Sequence, residues 1–200
     1  MLGHNRKMSG AECLADMFKG YGVTHVFHVP AVLRKTMAVM EGRTDIKRLH
    51  VHGEKAAAYM ADGYARVSGR HGVCIAQNGP GVTNFATSTA AAYWAHSPVV
   101  VVTPETGSMT LGLGGFQETE QLPIFSRITK YQAHVNNNKR MAELTARAFD
   151  RALLELGPTQ LNIPRDLFYG DITVEIPKPI RIERGAGGVE SLNAAADLIA

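Results

Sequence analysis

Residues 72–104 read GVCIAQNGPGVTNFATSTAAAYWAHSPVVVVTP, and this stretch decides the fold. The apolar segment 72–77 ends at the turn NGPG, a helical segment rich in alanine begins at residue 83, and a second apolar segment follows at 97–104. Runs such as VVVV are typical of strands buried on both faces of a parallel sheet. The stretch therefore predicts a β-α-β unit, in which a helix joins two parallel strands.

The same alternation of strands and helices extends in both directions from this unit. Further strands are predicted at 24–30, 46–51, 128–135 and 159–164, and further helices at 9–20, 31–42, 54–68 and 138–155. Ser9 and Glu12 form the capping-box pattern that starts the first of these helices. Alternation with short connections predicts an α/β fold with three layers (αβα) around a parallel sheet.

The chain is expected to contain one domain and the beginning of another. Residues 170–188, GDITVEIPKPIRIERGAGG, hold apolar patches interrupted by prolines and glycines, which predicts an extended linker. The stretch VESLNAAADLIA that follows has a helical pattern and reaches Ala200 without a C-cap signal. We therefore expect a domain at 9–175, a linker at 176–188 and the start of a truncated second domain at 189–200.

Composition excludes several classes of partner. The chain is 45% hydrophobic and 20% charged, which is ordinary for a globular protein, and its net charge is only +3 with no basic block. We therefore expect neither nucleic acid nor a membrane as a partner. Cys13 and Cys74 lie in apolar segments, which favours reduced, buried thiols. With no apolar leader at the start, a cytoplasmic location is predicted.

The turn NGPG at 78–81 is the first candidate for a ligand site, because backbone amides and a helix N-terminus follow it. G-x-G after a strand, with Glu105 ending the next strand, fits a dinucleotide site in part. Asn84, however, stands where the third glycine of that motif belongs. The residues alone leave a dinucleotide site, another ligand loop and a plain turn open. The glycine-rich segment 105–121 is predicted to be a long functional loop.

A second candidate is the joint between the strand at 46–51 and the helix at 54–68. His50 and His52 share one strand face and Glu54 follows, but no third ligand stands at a fixed spacing, so no metal site is predicted. Glu54 itself has two open interpretations. It is either a first-turn carboxylate stabilised by the helix dipole, worth about 0.3–1 kcal/mol, or a group that handles a proton.

Five segments occur in a characteristic order and spacing: GEKAAAYMADGYAR (53–66), NGPGVTN (78–84), GGFQETEQ (114–121), ITKY (128–131) and LNIPRD (161–166). Together they resemble the N-terminal pyrimidine-binding domain of thiamine diphosphate enzymes of the acetolactate synthase group. Within that group the resemblance is greatest to sulfoacetaldehyde acetyltransferases. It extends from Ser9 to Asp166 and implies the thiamine diphosphate-binding fold.

This resemblance implies thiamine diphosphate as the cofactor and gives Glu54 a catalytic role. In such enzymes the glutamate at this position hydrogen-bonds N1′ of the aminopyrimidine and promotes the imino tautomer, which removes the proton from the thiazolium C2. By the same resemblance, Gly79, Pro80, Gly81 and Asn84 form the loop that packs near the aminopyrimidine.

Phe116 and Gln117 are expected to line the substrate side of the site, and the implied substrate is a 2-oxo acid or an aldehyde. The chain departs from the family pattern at Gly53, where His is usual, and at FHVPAV, where F-G-x-P-G is usual.

The chain contains no G-D-G motif, through which such enzymes hold the diphosphate and Mg²⁺ in a separate domain of another subunit. The resemblance therefore implies a homodimer or homotetramer, with the isolated chain inactive. Two alternatives stay open: a non-catalytic binding or assembly module, and the α subunit of a split thiamine diphosphate decarboxylase. A nucleotide-binding Rossmann domain is a further alternative.

Overall fold

The computed structural model describes residues 5–30, 33–182, 185 and 187–200. Within them the strands are β1 (Arg6–Ser9), β2 (His25–His28), β3 (Lys47–His50), β4 (Gly72–Ile75), β5 (Val99–Glu105), β6 (Tyr131–His134), β7 (Thr159–Pro164) and β8 (Asp171–Val174). The α-helices are α1 (Gly10–Gly20), α2 (Arg34–Arg43), α3 (Glu54–Ser68), α4 (Pro80–Thr83), α5 (Ala86–Trp94), α6 (Gln121–Phe125), α7 (Met141–Leu154) and α8 (Val189–Ile199). Short 3₁₀ turns lie at Ser108–Thr110, Asn138–Arg140 and Arg165–Phe168.

Six strands form one parallel sheet in the order β3-β2-β4-β5-β7-β6. Consecutive side chains of its central strand point to opposite faces. Val100 and Val102 of β5 belong to a core shared with α1 and α7, whereas Val99 and Val101 belong to a core shared with α3 and α5. The sheet is thus covered by helices on both faces, which explains the unbroken VVVV run. The predicted α/β class with three αβα layers is confirmed.

The first helix begins as its sequence predicts. The Ser9 hydroxyl accepts a hydrogen bond from the Glu12 N–H at 3.3 Å, and the Glu12 carboxylate accepts one from the Ser9 N–H at 2.8 Å. This reciprocal pair satisfies two N–H groups that the helix cannot pair internally. The bond from the Ser9 N–H also lowers the pKa of Glu12. The capping box predicted from Ser9 and Glu12 is confirmed.

The structure differs from the predicted elements near both ends of the folded region. Residues 171–174, at the end of the predicted domain and in the stretch 170–188 interpreted as extended, form β8, which pairs antiparallel with β1. The sequence analysis did not predict this pairing. Ile172 and Val174 alternate with polar residues and are buried in the core beside α1 and α7. Ile176 is also buried. Residues 31 and 32 of the predicted second helix, and 183, 184 and 186 of the predicted linker, lie outside the described residues.

Both cysteines are buried and free, as predicted. Burial raises the pKa of the Cys13 thiol to about 12, and it raises the pKa of the Cys74 thiol further. Neither thiol is therefore ionised near neutral pH. In the described ranges, the helices are all too short or too polar to cross a membrane.

His71 is a buried titratable group beneath α7. Its Nε2 lies 2.8 Å from the carbonyl oxygen of Phe149, so Nε2 carries the proton, and its ring packs edge-on against those of Tyr21 and Phe149. Burial lowers the pKa of His71 to about 4 from the usual 6.5. As the pH falls below about 6.5, the unfolded chain binds a proton that the folded chain binds only near pH 4.

We therefore expect the free energy of unfolding to fall by about 3 kcal/mol on acidification across that window. Urea unfolding near pH 7 and near pH 5 should show about 2 kcal/mol of this loss, because pH 5 still lies above the pKa of His71 in the folded chain. His71→Gln keeps an N–H donor for Phe149 but does not titrate, so it should show a smaller loss than the wild type. The exposed His52, changed to Gln, serves as control and should leave the loss unchanged. An equal loss in the His71 variant and the wild type would contradict this account.

Candidate active site

The predicted site residues all lie at one edge of the sheet. Glu54 begins α3 after β3, the turn NGPG follows β4, and the long loop with Phe116 and Gln117 follows β5. These connections leave the carboxyl ends of parallel strands, which meet at the same edge. Ligand sites of open parallel sheets form at this edge.

Glu54 occupies the first position of α3, where the helix dipole favours a carboxylate. Gly53 precedes it as the N-cap and supplies no side-chain hydrogen bond to the helix. The Oε2 atom of Glu54 accepts a hydrogen bond from Nδ2 of Asn84 at 3.0 Å. Its Oε1 has no hydrogen-bond partner among the described residues and faces Gly81, where a Cβ would lie 3.2 Å away. One oxygen is therefore held and the other is available to a ligand.

The NGPG turn packs against the long loop through Gly79. Its backbone has φ +66° and ψ −116°, a conformation that only glycine adopts without strain. A Cβ on Gly79 would lie 2.2 Å from the carbonyl oxygen of Gln117. Its N–H donates to Oε1 of Gln121 at 3.0 Å. Pro80 then forms the first residue of α4 and is exposed.

Two buried amides that the sequence analysis did not single out join these loops. Asn78 Nδ2 donates to the carbonyl oxygens of Phe116 at 2.7 Å and Gln117 at 3.2 Å. Gln121 Nε2 donates to the carbonyl oxygen of Pro104 at 2.8 Å and to Oδ1 of Asn162 at 2.9 Å. Asn78 is the first residue of the NGPGVTN motif, and Gln121 is the last residue of GGFQETEQ. Their place in these motifs is the sequence signal that could have identified them. They hold the NGPG turn and the long loop against each other and against the sheet.

Glu118 shapes the loop that presents Phe116 and Gln117. Its carboxylate accepts hydrogen bonds from the N–H groups of Gly112 and Gly115, and these backbone bonds lower the pKa of Glu118. Phe116 is 71% exposed, so its ring faces solvent at the edge of the sheet. Gln117 has φ +53°, and its Oε1 is buried with no partner among the described residues.

The structure therefore brings Glu54, Gly81 and Asn84 into direct contact, and it joins Gly79 to Gln117. The free Oε1 of Glu54 fits a heterocycle, because a protonated ring nitrogen can donate a hydrogen bond to it. The donor set thus suits the aminopyrimidine that the sequence predicts.

The other sequence candidates have different neighbours. The rings of His28 and His50 stack with their centroids 5.6 Å apart, and His52 is exposed. Within the described ranges, no group of three or more His, Cys, Asp or Glu side chains could hold a metal ion. Glu105 Oε2 lies 2.9 Å from Nε2 of His134, and this bond raises the pKa of His134. Glu105 therefore already has a partner within the fold.

Comparisons with known proteins show which proteins this chain is similar to. Residues 8–124, more than half of the chain, match the family described as "Thiamine pyrophosphate enzyme, N-terminal TPP binding domain". The chain is 57% identical over 193 residues to a sulfoacetaldehyde acetyltransferase of Alcaligenes xylosoxydans xylosoxydans, covering 96% of this chain and 32% of the relative.

Two further relatives extend the comparison. A sulfoacetaldehyde acetyltransferase of Castellaniella defragrans is 53% identical, with 98% of this chain and 33% of the relative covered. A probable acetolactate synthase large subunit of Methanocaldococcus jannaschii is 34% identical, with 88% and 30% covered. The chain spans about a third of the length of the curated relatives it matches.

Proposed function

Since the chain belongs to the thiamine diphosphate (thiamine pyrophosphate) enzymes through their N-terminal cofactor-binding domain, we propose that it forms the pyrimidine-binding half of an acyltransferase site. The resemblance identified in the sequence is confirmed. The observation that carries the proposal is the state of Glu54, whose Oε2 is held by Asn84 while Oε1 is free beside Gly81.

The residues have distinct roles in this proposal. Glu54 shares a proton with N1′ of the aminopyrimidine, and Asn84 fixes the orientation of its carboxylate. Gly81 lets Gln77 and the carboxylate of Glu54 approach the turn closely, and Gly79 and Pro80 shape that turn. When bound, thiamine diphosphate supplies the electron sink for breaking and forming a bond at a carbonyl carbon.

The proposal also includes parts that this chain does not supply. The diphosphate and Mg²⁺ would be held by a second domain from another subunit, so the chain alone would be inactive. A homodimer or homotetramer with a cytoplasmic location is part of the same proposal. The oligomer is supported by apolar side chains of α3 and α5 that are exposed to solvent, including Val67 (91% exposed) and Trp94 (80% exposed). The division into a domain at 9–175, a linker at 176–188 and a second domain from 189 likewise stays a prediction.

The test requires the assembled protein, by which we mean this chain together with a diphosphate-binding domain on the same or another polypeptide. We expect it to consume sulfoacetaldehyde in a reaction that needs thiamine diphosphate and Mg²⁺, because a sulfoacetaldehyde acetyltransferase is 57% identical to this chain. Acetolactate formation from pyruvate is the second candidate, supported by the acetolactate synthase relative. Parallel assays of both reactions decide between them. Activity in neither assay, with no cofactor binding, would favour a non-catalytic assembly module.

A further inference from the structure

A cleft opens at the same edge of the sheet as Glu54. It has a volume of about 750 Å³, and its lining includes Arg34, Gln77, Phe116, Gln117 and Arg165. We call it the arginine cleft. Its residues come from the start of α2 and from the connections that follow β4, β5 and β7. Four separate segments thus converge on one space, as they do in ligand sites.

Gln77 joins the arginine cleft to the proton-handling carboxylate. A Cβ on Gly81 would lie 3.2 Å from the Cβ of Gln77 and 3.2 Å from Oε1 of Glu54. Gln77 and Glu54 therefore flank the same glycine from two sides. A small substrate whose carbonyl lies near the cofactor could extend its other end into the cleft.

The cleft carries an excess of positive charge, since its lining holds two arginines and one carboxylate, Asp166. In the described part of the chain, carboxylates form ion pairs with Arg6, Arg43, Arg48, Arg66, Arg140, Arg147 and Arg151. The guanidinium groups of Arg34 and Arg165 have no such partner among the described residues. Lys35 adds a further cation, with its Nζ 5.2 Å from the ring centre of Tyr169, which also lines the cleft.

Asp166 is the acidic residue of the cleft, and its carboxylate is already engaged. Oδ1 accepts a hydrogen bond from the Ser108 N–H at 2.8 Å, and Oδ2 accepts one from the Ser108 hydroxyl at 2.5 Å. Asp166 therefore anchors the long loop and does not pair with Arg34 or Arg165. The two guanidinium groups remain available to an anion.

We propose that Arg34 and Arg165 bind the anionic end of the substrate, a tetrahedral oxyanion, and that this group is the sulfonate of sulfoacetaldehyde. This inference rests on the proposed function, which supplies the substrate. A sulfonate stays ionised at any physiological pH and spreads its charge over three oxygens. Guanidinium groups present forked N–H donors that match such oxygens. Their hydrogen bonds to an anion are charge-assisted and therefore stronger than those between neutral groups. Inorganic phosphate has the same tetrahedral chemistry and is the alternative source.

The test measures KM and kcat for sulfoacetaldehyde in the assembled protein with Arg34→Met, Arg165→Met and the double variant. Methionine keeps an apolar stem while removing the charge. We expect KM to rise about tenfold for each single variant and about 100-fold for the double variant, with kcat little changed. Isethionate, the alcohol that corresponds to sulfoacetaldehyde, should inhibit the wild type competitively. Its inhibition constant should rise in the arginine variants in parallel with KM.

Arg70→Met is the matched control. Arg70 is likewise exposed and without an ion pair among the described residues, but it precedes β4 and so lies toward the opposite edge of the sheet. The Arg70→Met variant should leave the KM for sulfoacetaldehyde unchanged. Arg165→Lys keeps the charge without the fork and should restore part of the affinity. Circular dichroism of each variant checks that the fold is retained.

The outcomes separate this inference from the proposed function. Turnover of sulfoacetaldehyde with an unchanged KM in the double variant would overturn the cleft assignment alone. Competition by inorganic phosphate but not by isethionate would overturn the sulfonate assignment in favour of phosphate. If the wild type does not act on sulfoacetaldehyde, the first candidate reaction of the proposed function fails. Calorimetric binding of isethionate, present in the wild type and lost in the double variant, would then still support the anion site, and its absence in the wild type would reject it.

Discussion

Replacing Glu54 with Gln in the assembled protein should slow exchange of the thiazolium C2 proton of thiamine diphosphate by about 100- to 10,000-fold, the usual contribution of a positioned acid–base group. Glutamine keeps the length of the side chain, and its carbonyl oxygen can still accept the hydrogen bond from Asn84. It cannot share a proton with a ring nitrogen as a carboxylate does. Hydrogen–deuterium exchange followed by NMR measures the rate without requiring turnover.

Glu190 provides the matched control for this experiment. It is also a glutamate in the first turn of a helix, α8, and it is exposed. Glu190→Gln should leave the exchange rate unchanged, because it removes a first-turn carboxylate of the same kind from a helix that does not form the site. Exchange that is as fast in Glu54→Gln as in the wild type, with cofactor bound, would leave Glu54 as a helix-start residue only.

Elements with strong periodicity and clear end signals were predicted with little error. The helix at 54–68 and the strand at 159–164 have the same bounds in the structure. The helix ends because Gly69 adopts a left-handed conformation at φ +66°, which its sequence position signals. The strand is buried throughout, and its apolar pattern stops at a proline.

Features that depend on distant parts of the chain could not be predicted from local pattern. The pairing of β1 with β8 joins segments more than 160 residues apart, and neither strand has a strong signal alone. The same reason applies to Gln121, whose amide joins the turn at Gly79 to β5 and β7. Glu54 was identified because its family motif is local, whereas the arginine cleft assembles from four separate segments.

Gly79→Ala should strongly destabilise the fold. The new Cβ would lie 2.2 Å from the carbonyl oxygen of Gln117, which is backbone and cannot turn away as a side chain can. Alanine is also strained at φ +66° and ψ −116°. Together the clash and the strain should lower the free energy of unfolding by more than about 3 kcal/mol, or prevent folding. Urea unfolding followed by circular dichroism measures the change.

Gly63→Ala makes the same substitution where the backbone permits it. Gly63 lies within α3, and a Cβ there would meet nothing within 4 Å. It should therefore raise the free energy of unfolding by about 0.5–1 kcal/mol, the opposite sign. If Gly79→Ala unfolded at the same urea concentration as the wild type, the close approach of Gln117 would not constrain the turn. Opposite signs would instead show that Gly79 is required by the backbone packing that presents Gln117, independently of any contact with the cofactor.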